Sequence, residues 1–200
     1  VGFAGNAVMA LRVSYVGELG WELHLPVDRA QTVYDTLRRV GAGHGLINAG
    51  YRAIETLRLE KGYRAWGADI GPDHTPIEAG LGWAVKTKSD IDFKGRPAIE
   101  AQRANGVKKL LATFTAAPEV ILSGRETIYR DGHRCGWLSS GGHGHWIGKS
   151  IGMGYVRDPD GVDRDTVMSG RYELEVATQR VPAEVTLQPL FDPKMFRIRI

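Results

Sequence analysis

Beyond Gly106 the sequence breaks into short apolar runs separated by Gly, Pro and Asp, a rhythm that points this half of the chain to antiparallel β structure. The runs are Leu110–Thr115, Glu126–Arg130, Arg134–Ser139, Ile151–Val156, Tyr172–Ala177 and Val181–Leu187. Between two of them, Arg130–Asp131–Gly132–His133 is a strong hairpin signal, because Asp-Gly accepts the left-handed backbone of a two-residue turn. Before Gly106 the pattern is mixed. Val8 to Leu25 alternates apolar and polar residues, which predicts two strands joined across Gly17–Glu18–Leu19–Gly20. Ala30, Val33, Tyr34, Leu37 and Val40 then recur at helical spacing behind Asp28 and Gln31, a capping-box pair, and Gly41, Gly43 and Gly45 end the helix.

A second helix is expected from Tyr51 to Gly62, with Ile54 and Leu57 inward and Glu55 and Arg58 spaced to pair on its surface. Gly71–Pro76 is expected as loop, Ala84–Lys86 as a short strand, and Pro97–Asn105 as a third helix with Pro in its first turn. The fold class is therefore α+β: a helix-containing part over residues 1–105, then a small β-barrel or sandwich over residues 106–200.

Composition narrows the function classes. The net charge is +3 over 200 residues and the basic side chains are scattered, so no stripe of the kind that binds nucleic acid is expected. No apolar run is long enough for a membrane helix. Cys135 is the single cysteine, which excludes an internal disulfide and any CxxC site. In its expected strand it reads as a small core residue, not a nucleophile. The chain opens at Val1 almost directly into strand-like sequence, as a piece of a longer protein would. Its compartment is unreadable: cytoplasm if bacterial, mitochondrial matrix if eukaryotic.

The densest chemical cluster is Ser14–Tyr15–Val16–Gly17–Glu18–Leu19–Gly20–Trp21–Glu22. Glycines in the turn let a flat ligand approach backbone closely, and Tyr15 or Trp21 offers a stacking face. Glu22 offers two coplanar acceptors, which match a heterocycle edge with a ring N–H beside an exocyclic amine. The plainer account is a strand-end carboxylate in water beside core aromatics.

The strings SYVGELGWE, HGLINAGYRAIETLRLEKGYRAWGADIGPDHTPIEAGL and DFKGRPAI, with PLFDPK near the C-terminus, resemble the aminomethyltransferase family. That family includes the glycine cleavage T-protein and the C-terminal regions of sarcosine and dimethylglycine dehydrogenases. INAGYRAI and EKGYRAWGADI resemble the sarcosine dehydrogenase form more than the T-protein. The resemblance implies that residues 1–105 are the C-terminal part of the family's folate-binding domain and 106–200 its antiparallel β-barrel domain. It implies tetrahydrofolate binding, with capture of an N-methyl carbon as 5,10-methylenetetrahydrofolate. Tyr15 and Glu22 match the pterin-site positions of the family's Y-x-G-E-x-G-x-E pattern, whereas Glu18 is expected to bond backbone N–H groups of its own turn.

Two departures stand out. The family's folate-site arginine, four positions before the arginine of R-L-E, is Ile54 here. Arg52 and Arg58 are candidate substitutes, and each is equally readable as a surface ion-pair partner. The family's catalytic aspartate would fall upstream of Val1, so no catalytic residue is expected within this chain and the fragment alone is expected to be inactive. FAD is expected in a flavin domain elsewhere in the parent chain, because no dinucleotide fingerprint occurs here. The expected partners are folate, an N-methyl amine substrate and that flavin domain, with no nucleic acid or membrane. An independent T-protein, or a regulatory module that has lost folate, are the competing accounts.

His143 and His145 form an H-x-H pair, and a metal there would need a further ligand such as His133 or Asp131. No metal is expected, and a polar hairpin accounts for the run. Asp73 is expected to initiate a turn and Glu78 to bond backbone, rather than to form an acid–base pair with Asp69.

Overall fold

A computed structural model describes residues 1–3 and 5–199. The β-rich half closes into a six-stranded antiparallel barrel. Counting strands and helices in chain order, three short N-terminal strands come first: β1 (Gly2–Phe3), β2 (Asn6–Ala7) and β3 (Met9–Leu11). β4 (Glu22–His24), α1 (Ala30–Gly41), α2 (Tyr51–Glu60) and α3 (Arg96–Asn105) follow. The barrel strands are β5 (Val107–Ala116), β6 (Thr127–Arg130), β7 (His133–Gly144), β8 (Lys149–Val162), β9 (Tyr172–Val176) and β10 (Gln179–Thr186). A short α4 (Arg164–Ser169) joins β8 to β9. Around the barrel the order is β10-β5-β8-β7-β6-β9.

All six expected barrel strands are present, and β7 and β8 run well past the expected segments. β7 extends because the backbone groups of Gly141, Gly142 and Gly144 find partners in the ladder with β8 rather than in a loop, and β8 continues beyond Val156 along β5 through Arg157 and Val162. The Asp131–Gly132 turn has φ of 51° and 82°, as a two-residue hairpin requires. Helix α4 was not expected; Asp163 caps it by accepting from the Thr166 N–H at 2.8 Å.

Strand β8 is apolar on both faces for different reasons. Val156 points into the barrel among Phe114, Ile128, Leu138 and Leu174. Ile151, Met153 and Tyr155 face outward and pack on Leu59 of α2. Glycines on the inner face give the large side chains room. On the neighbouring strand, a Cβ at Gly136 would lie 2.0 Å from the carbonyl oxygen of Tyr155. Nothing larger than hydrogen fits there.

The N-terminal part departs from the sequence reading in four places. β3 and β4 do pair, but in the register Met9↔His24, Ala10↔Leu23 and Leu11↔Glu22, so residues 12–21 form a long connection that includes Tyr15. The Ser14 hydroxyl accepts from the N–H groups of Val16 and Gly17, giving the backbone a local alternative to the ladder. Asp28 does not cap α1. A 3-10 turn over Val27–Arg29 precedes the helix, so Asp28 pairs with Arg29 while Gln31 donates to Asp35. Ala84–Lys86 is not a strand: Gly82–Ala84 is a 3-10 turn, and the Arg96 guanidinium binds the carbonyls of Thr87 and Ser89 just beyond it. In α2 the inward face is Arg58, Leu59 and Glu60, whereas Ile54 is exposed.

Gly136→Ala should lower the urea midpoint with an unchanged slope, a cost of about 1–3 kcal/mol or more from overpacking. A midpoint equal to that of the parent would mean the β7–β8 approach is looser than described.

Candidate functional site

Helix α2 ends in a fully buried charged cluster. Arg58 is 0% exposed, not on the surface as expected. Its Nη1 donates to Asp69 at 2.5 Å and to the Tyr63 carbonyl at 3.1 Å, and Nη2 donates to Ser140 Oγ at 2.7 Å. Both Nε and Nη2 also reach Glu55, as the sequence spacing indicated. Asp69 is equally committed, accepting in addition from Ser140 Oγ at 2.7 Å and the Ala65 N–H at 2.9 Å. Burial works against the Arg58 charge, but Glu55 and Asp69 outweigh it and hold the guanidinium's pKa above the usual arginine value. Glu60, also buried, accepts from the N–H groups of Trp146 and Ile147 at 2.7 and 2.9 Å. The R-L-E triplet thus ties α2 to the barrel.

The next residues open a cavity of about 460 Å³. Tyr15, Tyr63 and Trp83 form its aromatic walls, and Lys61 and Arg64 are its charged groups. Tyr15 and Tyr63 stack with centroids 5.9 Å apart and planes 14° from parallel. The Tyr15 hydroxyl donates to the Arg64 carbonyl at 3.0 Å. Burial raises both phenol pKa values above the usual one, so neither ring is a base near neutral pH.

Lys61 is fully buried, and its ammonium donates to the Asp192 carbonyl at 2.7 Å and carboxylate at 3.1 Å. Its chain lies under Gly17, where a Cβ would come within 2.8 Å of Lys61 Cδ. That close approach, and a φ of 82°, explain the glycine of the motif. The C-terminal segment is folded back by these bonds. Pro189, Pro193 and Met195 line the cavity, the Phe191 N–H donates to the Glu60 carbonyl, and Arg197 pairs with Glu18 at 3.0 Å. Glu18 is therefore a long-range clasp rather than a bond within its own turn; the Ser14 hydroxyl has taken those N–H groups.

Of the four candidate binding residues, Tyr15 lines the cavity and Arg58 lies in the cluster behind it, bonded to the Tyr63 backbone. Glu22 is exposed on β4, 3.2 Å from His24, and Arg52 is exposed on α2; neither lines the cavity. Tyr63, Arg64, Lys61 and Trp83 were not singled out in advance. Lys61, Tyr63 and Arg64 lie within four positions in the EKGYR string, so their nearness in sequence was the available signal.

The remaining candidates are structural. The Asp73 turn begins at Gly71, whose carbonyl accepts from the His74 N–H, so Asp73 lies inside the turn rather than initiating it. Glu78 accepts from the Thr75 N–H at 2.9 Å, as expected. His143 lies near the end of β7 and His145 opens the turn to β8, with rings 5.1 Å apart. Among the described residues no group of His, Cys, Asp and Glu is arranged to hold a metal. Cys135 packs half-buried against the barrel core, and burial pushes its thiol up to about 11.

Two family models match the chain: the GCVT N-terminal domain over residues 1–89 and the glycine cleavage T-protein C-terminal barrel domain over residues 109–192. Mitochondrial sarcosine dehydrogenase of Mus musculus is 46% identical over 198 residues, which is 98% of this chain and 22% of that protein. Mitochondrial dimethylglycine dehydrogenase of Rattus norvegicus is 34% identical, over 96% of this chain and 22% of the relative. The crystal structure of glycine cleavage system aminomethyltransferase T from Bartonella henselae superposes with a TM-score of 0.80 at 26% identity. That match covers 92% of this chain and 50% of the other. The chain thus spans about a fifth of the length of the dehydrogenases it matches.

Arg58→Met should cost about 3–5 kcal/mol of stability, because it leaves Asp69 buried without its cation. Combining it with Asp69→Asn should cost less than the sum of the two single changes, measured by chemical denaturation. Simple additivity would show that the two side chains do not act as one unit.

Proposed function

We propose, for a chain that belongs to the glycine cleavage T-protein family, that the cavity walled by Tyr15, Tyr63 and Trp83 forms part of a tetrahydrofolate site. The observation that carries this is the placement of Tyr15, the motif tyrosine, in a cavity of about 460 Å³ beside a second, stacked tyrosine. Such walls suit a flat conjugated ligand. Tyr15 spends its hydroxyl on the Arg64 carbonyl and so offers a fixed ring face. Glu22, exposed on β4 outside the cavity lining and bonded to His24, keeps its proposed role as the acceptor for a pterin edge that extends beyond these walls, and Arg52, also outside the lining, is a secondary candidate. Arg58 serves the site from behind, by fixing the backbone at Tyr63.

The parent activity that fits best is oxidative demethylation of sarcosine or dimethylglycine, with the carbon captured as 5,10-methylenetetrahydrofolate. Similarity to the mouse sarcosine dehydrogenase supports it, as does the EKGYRAWGADI string. When bound, a reduced folate supplies the amine nitrogens that take up a carbon at the formaldehyde level. The residues of this chain orient it and exclude water. Among the described residues no carboxylate lines the cavity, and the two phenols, with pKa values raised by partial burial, are poor bases, so proton transfer falls to a group outside them. FAD belongs to the remainder of the parent protein. Gly141–Gly144, the glycine run here, lie within strand β7 and form no strand-to-helix phosphate turn. The mitochondrial designation of the two relatives agrees with a matrix enzyme if the source is eukaryotic.

An independent aminomethyltransferase is the second account, favoured by the superposition on the Bartonella protein. A flavin fingerprint in the full-length sequence selects between them.

Calorimetric titration of the full-length protein with tetrahydrofolate tests the site. Tyr15→Ala should weaken binding roughly tenfold, the scale of one lost aromatic contact. Glu22→Gln should weaken it about fivefold or more through a lost charge-assisted bond. Unchanged dissociation constants for both variants would sink the assignment.

A further inference from the structure

Arg64 is the charged group in the cavity that no acid neutralises. Its Nε donates to the Ala79 carbonyl at 2.9 Å and its Nη1 to the Gly62 carbonyl at 2.7 Å. Among the described residues, Nη2 has no hydrogen-bond acceptor and Arg64 enters no ion pair. The neighbouring cations are handled differently: Arg58 has Glu55 and Asp69, and Lys61 has Asp192. Burial accordingly pushes the Arg64 pKa below the usual arginine value, a penalty that a buried ion pair would offset.

The guanidinium is held in place, not floppy. Bonds from Nε and Nη1 to two carbonyls hold it, and a Cβ at Gly80 would lie 2.8 Å from Nη2, so a bare glycine gives that nitrogen its space. Both Arg64 and Gly80 line the cavity. A half-buried, pre-oriented guanidinium with one nitrogen free of protein acceptors on the wall of a ligand-sized space is matched by a carboxylate. The aromatic walls require the same ligand to carry a flat ring system as well.

We infer that Arg64 is the carboxylate anchor of this cavity, binding a glutamyl carboxylate of the folate through Nη2. The inference rests on the folate assignment above and adds a contact that the motif positions Tyr15 and Glu22 do not supply. The arginine that the family carries at the position of Ile54 then has a functional counterpart on the loop beyond α2, rather than in Arg52 or Arg58. Arg64 is a binding residue; it takes no part in bond making.

The test separates the anchor from the folate assignment. Tetrahydrofolate and its glutamyl diester are titrated into the full-length protein and into the Arg64→Met and Arg64→Lys variants. The parent should prefer the free acid at least about tenfold, Arg64→Met should erase that preference, and Arg64→Lys should retain part of it. Equal binding of acid and diester by the parent overturns the anchor while leaving the folate site intact. So does an Arg64→Met variant that keeps the preference, or that weakens both ligands alike, as a packing role would. Failure of the parent to bind either ligand overturns both inferences together. Titration with sarcosine covers the other source of a carboxylate: weakening there by Arg64→Met, with folate unaffected, would assign the guanidinium to the amine substrate and overturn the proposal. Thermal midpoints of the two variants show whether the loop still folds once the carbonyl bonds of Arg64 are lost.

Discussion

The contact on which the rest depends is the buried Arg58–Asp69 pair. One guanidinium, with no exposure, joins α2 through Glu55, the loop through the Tyr63 carbonyl and Asp69, and the barrel through Ser140. A bare ion pair at this depth is a poor source of stability, because desolvation of both charges offsets their attraction. Here every strong donor and acceptor is matched, which changes the balance. What such a network supplies is position: it admits few alternative packings of helix against barrel. Glu60 adds a second tie two residues on, through the backbone of Trp146 and Ile147.

The cavity inherits its shape from that anchor. Because Arg58 and Glu60 fix the last turn of α2, the residues that follow have little freedom. Lys61 turns toward Asp192, Tyr63 toward Tyr15, and Arg64 toward Gly62 and Ala79. The C-terminal segment is drawn over the same space by Lys61–Asp192 and Glu18–Arg197. The Asp192 carboxylate bridges these pieces. Burial would raise its pKa, but the Lys61 ammonium and the N–H groups of Phe196 and Arg197 hold it below the usual carboxylate value. A cavity thus arises where three distant stretches of chain converge on one helix end.

How much of this was legible follows from the range of the interactions. The barrel strands were readable, since apolar runs and Asp-Gly turns are local signals and β structure buried on two faces tolerates little else. The helix at Tyr51 was readable in its bounds but not in its orientation. Spacing alone makes Glu55 and Arg58 a surface pair, and nothing within one turn announces that Asp69 and Ser140 will bury the arginine. The same limit applies to Glu18, whose partner Arg197 is 179 residues away. Tyr15, singled out through its motif, does line the cavity. Arg64 stands out only because it lacks a counter-ion among the described residues, and a sequence cannot show which cation goes without one.

That contrast bears on how the site divides its labour. Paired charges in this chain are structural: Arg58, Lys61 and Arg197 each face a carboxylate, and each holds two segments together. Arg64 is held as firmly, yet by neutral carbonyls that orient the guanidinium without cancelling its charge. Where folding alone is at stake, a cation even half removed from water, as Arg64 is, gains from a counter-ion. Retaining one without it costs stability, and a cost of that kind is recovered when a ligand brings the missing charge. The cavity therefore carries a cation without a counter-ion beside two buried cations that have theirs, and the carboxylate-bearing aromatic ligand proposed above is the species that would supply it.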